Sequence, residues 1–291
     1  MFDFRYHALS LVSVFLALMI GLLLGVAIGD EGLVSSAEKN VRDSLRGDVR
    51  EAQAESARLR GDLAERRRFE GAVYPLLVDG RLTGRRVALV ALGGLPGGAI
   101  RSVRGALENT DGRLAGVAVI REPLPAGAAP TAPAPPGAPP PAPDEAALKR
   151  FGAQAGLELV RGRLTAASRR TLFESSSGNL TGLNGIVLLR APRKGNQPEA
   201  AQTDAFEEGF VEGMVSAGPP VVGVELTTTD PSQIGWYKER RLASVDNLDE
   251  LAGRAALVFA LAGASGAFGI KDSAEALLPT AAEREAPAPT R

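Results

Sequence analysis

Arg86-Val-Ala-Leu-Val-Ala-Leu92, followed at once by Gly93-Gly-Leu-Pro-Gly-Gly98, is the stretch that decides the fold. A short run that is apolar at almost every position suits a strand buried on both faces, as happens when helices cover both sides of a parallel sheet. The glycine-rich turn then opens a helix-like stretch over 98–109. The same pattern recurs downstream. Strand-like runs fall at 117–120, 186–190, 221–226 and 242–245, and helix-like stretches at 144–156, 165–175, 199–217 and 248–261. Strand and helix alternating in this way predict an α/β domain over 84–278, a mainly parallel sheet sandwiched between helices.

Upstream of this domain the chain changes character twice. From Ala8 to Ile28 it is apolar and carries no charge. At about 1.5 Å of rise per residue, such a run spans roughly the 30 Å hydrocarbon core of a bilayer. Residues 1–30 therefore read as a short amino-terminal segment and one transmembrane helix. A cleaved secretory signal is the alternative, since Ala27-Ile28-Gly29 is an acceptable cleavage pattern, but the run exceeds the usual apolar core of a signal. Arg5 and His7 precede it and Asp30 and Glu31 follow it, which by the positive-inside rule puts the amino terminus in the cytoplasm. The rest of the chain then lies outside the cytoplasm.

Within the run, Ser13, Ala17, Gly21, Gly25 and Gly29 recur every four residues. Small side chains at that spacing let two helix backbones approach closely in lipid, where no hydrophobic force brings helices together. They form a candidate pairing face, against the simpler reading that glycine and alanine are common in membrane helices. Residues 31–71 are charged, alanine-rich and free of proline. Val41, Leu45, Val49, Ala52, Ser56, Leu59 and Leu63 make a seam whose spacing from Leu45 onward alternates four and three. The seam is thin, because Ala52 and Ser56 bury little and Gly47 and Gly61 each cost about 1 kcal/mol relative to alanine. A single solvated helix is the alternative. Span and seam together predict a parallel dimer with a coiled-coil stalk roughly 60 Å long.

Composition narrows the chemistry. The 291 residues hold 33 basic and 34 acidic side chains, so no basic excess points to nucleic acid. Cysteine is absent, there is one histidine, and the methionines number three. Disulfides and cysteine nucleophiles are thereby excluded, and soft-metal ligands are scarce. Half of the 20 prolines fall within 122–143, a Pro/Ala-rich insertion that cannot pack a core and is expected to be disordered, as is the tail 279–291. The insertion suits reach toward an envelope or cell-wall partner, or a tolerated surface loop.

Three places offer candidate chemistry. The turn 93–98 sits where a nucleotide fold places its phosphate loop, yet it lacks the Gly-Lys-Ser/Thr of a P-loop, and a flexible strand-to-helix turn accounts for it as well. Ser244, Asp246 and Asn247 end a strand. There Asp246 has the chemistry of an acid, a base or a hard-cation ligand, while Asn247 with Glu250 resembles a helix cap. Ser175, Ser176 and Ser177 have no histidine to activate them across the membrane from His7, which excludes a histidine-based triad but not a Ser-Lys pair. Trp236 and Tyr237 are either core or contact surface. The expectation is a protein that is not an enzyme, has no evident cofactor, and has the bilayer and a second copy of itself as partners.

Two regions together resemble the mycobacterial copper transport protein B family of actinobacterial membrane proteins. The first is Arg5, His7, Ser10 and Leu11 leading into Val14-Phe15-Leu16-Ala17-Leu18, Ile20-Gly21 and Leu24-Gly25. The second is Ser244-Val245-Asp246-Asn247-Leu248-Asp249, Gly253-Arg254, Gly266, Phe268-Gly269 and Leu277-Leu278-Pro279. The resemblance implies an envelope protein of copper homeostasis, described for the family as a copper transporter or outer-membrane channel, with copper entering through the resemblance alone.

Overall fold

The computed structural model describes residues 4–28, 32–125, 127–129, 143–193 and 200–280. Gly29 of the predicted pairing face, most of the predicted insertion (126 and 130–142) and the tail from 281 onward lie outside the described residues. The chain divides into two compact units, Met1–Arg67 and Arg68–Arg291.

The first unit is helical. In α1 (Phe4–Ile28) no proline or charge breaks the apolar run, and the Ser13 hydroxyl donates to the Leu9 carbonyl at 2.9 Å, so that polar side chain is satisfied within the helix. Arg5–Ala27 has a mean hydropathy of 2.7 and is long and apolar enough to cross a membrane. α2 (Gly32–Val78) carries the predicted seam along its first part. It continues past the predicted end of the stalk, through Pro75, and its last turns belong to the second unit. There the Tyr74 hydroxyl donates to the Ala106 carbonyl at 2.9 Å, and Tyr74 and Val78 join the core.

The second unit is an α/β domain with a mainly parallel sheet, as the alternating pattern predicts. Its strands are β1 (Arg86–Leu92), β2 (Arg113–Ile120), β3 (Phe173–Gly178), β4 (Gly185–Arg190), β5 (Val221–Val224), β6 (Ala243–Val245) and β7 (Ala267–Phe268), ordered β3-β2-β1-β4-β5-β6-β7. Every neighbouring pair is parallel except β2 with β3. Alternate side chains serve opposite faces. Val87, Leu89, Val187 and Leu189 pack toward α3 (Ala99–Leu107), α8 (Leu251–Ala262) and the end of α2. Ala88, Val90, Leu92, Ile186 and Leu188 pack in the other cluster, with α4 (Glu145–Val160) and α6 (Ala200–Ser216).

Where α4 and α6 cross, glycines bring the two backbones into direct contact. A Cβ on Gly152 or Gly156 would strike the carbonyls of Phe206 and Phe210, and one on Gly209 or Gly213 those of Lys149 and Ala153. Four glycines thus set the spacing of this layer and let Phe206 and Phe210, both fully buried, reach the sheet.

The structure corrects the sequence reading at short elements. The helix expected over 165–175 is α5 (Ala166–Leu172), capped by the Thr165 hydroxyl accepting from the Ser168 amide at 3.1 Å, and the chain turns extended at Phe173. Ser175–Ser177 then form β3, because backbone pairing with β2 outweighs the local pattern. α7 (Ile234–Glu239) and β7 are too short to leave a periodic signature.

Candidate functional site

In an open parallel sheet the chain leaves β1 toward β2 on one side and returns to β4 on the other, so the carboxyl ends of β1 and β4 flank the crevice where such folds place ligands. The turn 93–98 leads out of β1, Glu122 follows β2, and Arg190 ends β4 with Arg193 three residues on. Asp204 and Glu207 come from α6, Gln233 and Trp236 from the start of α7.

Arginines and acids interleave there. Arg190 donates through Nε to Glu207 Oε2 at 3.0 Å, through Nη1 to Gln233 Oε1 at 2.6 Å and through Nη2 to Asp204 Oδ1 at 3.3 Å. Arg193 reaches the same two acids, Asp204 Oδ1 at 2.5 Å and Glu207 Oε2 at 2.7 Å. Glu207 is 1 % exposed, and two guanidiniums offset the cost of burying its charge. The guanidiniums of Arg190 and Arg240 lie 4.8 and 3.8 Å from the centre of the Trp236 ring. Tyr237 is core: its hydroxyl donates to the Val224 carbonyl at 3.1 Å and accepts from the Arg190 amide at 2.8 Å, while burial holds its pKa well above the usual tyrosine value.

Glu122 completes the cluster. One of its oxygens lies 2.7 Å from where a Cβ on Gly93 would stand, and Gly93 has a φ of +72°, a conformation that favours glycine in the turn after β1. Burial, the charge of Glu207 and a hydrogen bond with that carboxyl push Glu122 from its ordinary 4.5 up to about 8, against the pull of Arg193 and Arg190. Glu122 thus keeps its proton at neutral pH. The folded state binds that proton more tightly than the unfolded chain, so the group's contribution to stability is full below about pH 4.5. It drains as pH rises and is lost above about pH 8. Denaturant midpoints of the wild type should fall across that window. Those of Glu122→Gln should fall less, and parallel curves would refute the raised pKa of Glu122.

The strand-end motif, expected to be of unknown role, is a clasp. Both Asp246 oxygens accept backbone amides, Oδ1 from Ile270 and Oδ2 from Lys271, each at 2.9 Å, and a Cβ on Gly269 would strike the Asp246 carboxyl. Asn247 is not the helix cap that the pattern suggests. α8 begins at Leu251 with Glu250 at the cap position, while the Asn247 carbonyl accepts the Glu250 amide at 2.9 Å and Asn247 Oδ1 is buried without a partner among the described residues. Ser244 is fully buried, its hydroxyl likewise unpartnered. Beside them, Glu225 at the end of β5 accepts from Lys271 Nζ at 2.6 Å and from the Ser232 hydroxyl at 2.8 Å.

In the first unit, Ala17, Gly21 and Gly25 line an open apolar groove along α1 with Val14, Leu18 and Leu22. Val41, Leu45, Val49, Leu59 and Leu63 stand between 52 % and 60 % exposed, with Ala52 exposed among them.

No group of three or more His, Asp or Glu side chains converges as a metal site among the described residues. The interleaved cluster escaped sequence reasoning because Glu122 and Glu207 lie far apart in sequence; the position of Arg190 at a strand's carboxyl end was its one local signal. A family model described as copper transport outer membrane protein, MctB, matches residues 1–129 and 152–279. The break between the two matched segments takes in residues 130–143 of the proline-rich stretch. No curated protein matches the chain.

Proposed function

The chain belongs to the MctB family of copper transport outer membrane proteins, and from that premise we propose that it is a dimeric, membrane-anchored envelope protein that supports copper homeostasis without catalysing a reaction. The observation that carries the reading is α1, a helix whose run from Ala8 to Ile28 is apolar, free of charge and of bilayer length, in a chain whose family is named for the membrane. In this reading its amino terminus faces the cytoplasm, and the α/β domain stands on the far side of the membrane. Ser13, Ala17, Gly21 and Gly25 pair two copies in lipid, and the α2 seam pairs them outside it. Unsheltered apolar side chains along the seam support this, among them Val41 at 60 % and Leu45 at 58 % exposure.

Copper would be the cargo, and the chain is sparingly equipped to hold it. With no cysteine, one histidine and three methionines, a copper site would need ligands from assembled copies or from partners. That inventory favours a second reading, a membrane-anchored scaffold or cell-wall interaction module that never handles copper directly. Deleting the gene should lower the copper concentration a strain tolerates, and the full-length gene should restore it. Unchanged tolerance would reject the copper role and leave the scaffold.

A further inference from the structure

The outer edge of β3 is unpaired among the described residues, and its sequence is unusual for an edge. Glu174, Ser175, Ser176, Ser177 and Gly178 are all exposed. Sheet edges are ordinarily blunted by lysine, proline, a bulge or brevity. At the opposite edge β7 has only two residues, and Ala276 bridges to its Phe268. β3 has neither lysine nor proline; its one charge, Glu174, and its bulge both fall before Ser175, so only Ser175–Gly178 run unguarded and in unbroken register with β2.

The ladder fixes which groups face outward. The Asn179 amide donates to the Ala115 carbonyl at 2.8 Å, and the pairing continues Val117 with Ser177 and Val119 with Ser175. Antiparallel alternation turns the backbone groups of Ser175 and Ser177 toward β2 and those of Ser176 toward the open edge.

We propose that β3 docks on the β3 of a second copy of this chain, antiparallel about a two-fold axis at Ser176. The two Ser176 residues then exchange amide-to-carbonyl bonds, and Ser175 faces the partner strand's Ser177. That register is set by charge as well as hydrogen bonding. Centring the axis on Glu174 would oppose two carboxylates, and centring it on Gly178 would run the pairing into Asn179 and Leu180, where the chain has left the strand. The proline-rich 130–142 segment of the same chain is a poor occupant, since proline has no amide to donate. The proposal rests on the dimeric reading above, in which tethering by α1 and α2 keeps two such edges at high local concentration.

Because the chain has no cysteine, single substitutions report on it cleanly. Cα atoms of a hydrogen-bonded antiparallel pair stand about 5.5 Å apart, within reach of a disulfide. Full-length Ser176→Cys in membranes, oxidised mildly, should form disulfide dimers at least about tenfold faster than the exposed control Thr228→Cys. Leu45→Cys reads the stalk separately. Bridging at Leu45→Cys with Ser176→Cys no faster than the control overturns β3 pairing and leaves the dimer; bridging at neither overturns both. A Ser176 amide protected from hydrogen exchange without a Ser176→Cys bridge also overturns the proposal, because another strand then occupies the edge.

Discussion

Gly156→Ala should lower the thermal midpoint of the full-length protein in detergent by roughly 10 °C. The added methyl would stand against the Phe210 carbonyl oxygen, which is backbone and has no rotamer to retreat into. α4 and α6 must then separate, loosening Phe206, Phe210 and Met214, all fully buried. Overpacking of this kind costs about 3 kcal/mol, and a domain of this size loses about 2–4 °C per kcal/mol. Gly97→Ala is the matched control, since no atom lies within 4 Å of the added carbon. Equal midpoints for the two variants would show that the glycine crossing does not hold this layer. The same change should disturb the interleaved cluster, because α6 carries Asp204 and Glu207.

Asp246→Ala should cost about 2–4 kcal/mol. It strips two part-buried amides, of Ile270 and Lys271, of their acceptor, and each such loss is worth about 1–3 kcal/mol less any water that moves in. It also releases the segment that positions Lys271 on Glu225. Asp246→Asn should fall between, keeping one acceptor while turning an amide donor toward an amide. Chemical denaturation gives the stability, and complementation of the deletion strain at a temperature where the variant stays folded gives the function. A clasp predicts that function returns once folding is secured. A folded variant that never complements would make Asp246 a participant in chemistry, as the acid, base or hard-cation ligand that its place at a strand end allows.

Much of the fold is legible in the sequence where burial imposes a period. Arg86–Leu92 and Gly185–Arg190 are nearly all buried, and a run apolar at every position has few other uses in a chain this polar. α6 and α8 are long enough for their pattern to show. β3 is not legible, because Phe-Glu-Ser-Ser-Ser-Gly has no alternation and is a strand only through its pairing with β2. The candidate site divides in the same way. Asp246 is visible as a carboxylate at a strand end, but its role depends on amides 24 and 25 residues away.

By itself the sequence determined the membrane-length helix, the charged helix after it, the α/β class and the scarcity of copper ligands, because hydropathy, periodicity and composition are properties of a chain before it folds. Only the tertiary structure decided that Asp246 is a clasp, that glycines seat α4 on α6, and that burial beside Glu207 raises the pKa of Glu122. Those are meetings of residues distant in sequence, and what each group does there depends on burial and on the charges the fold sets beside it.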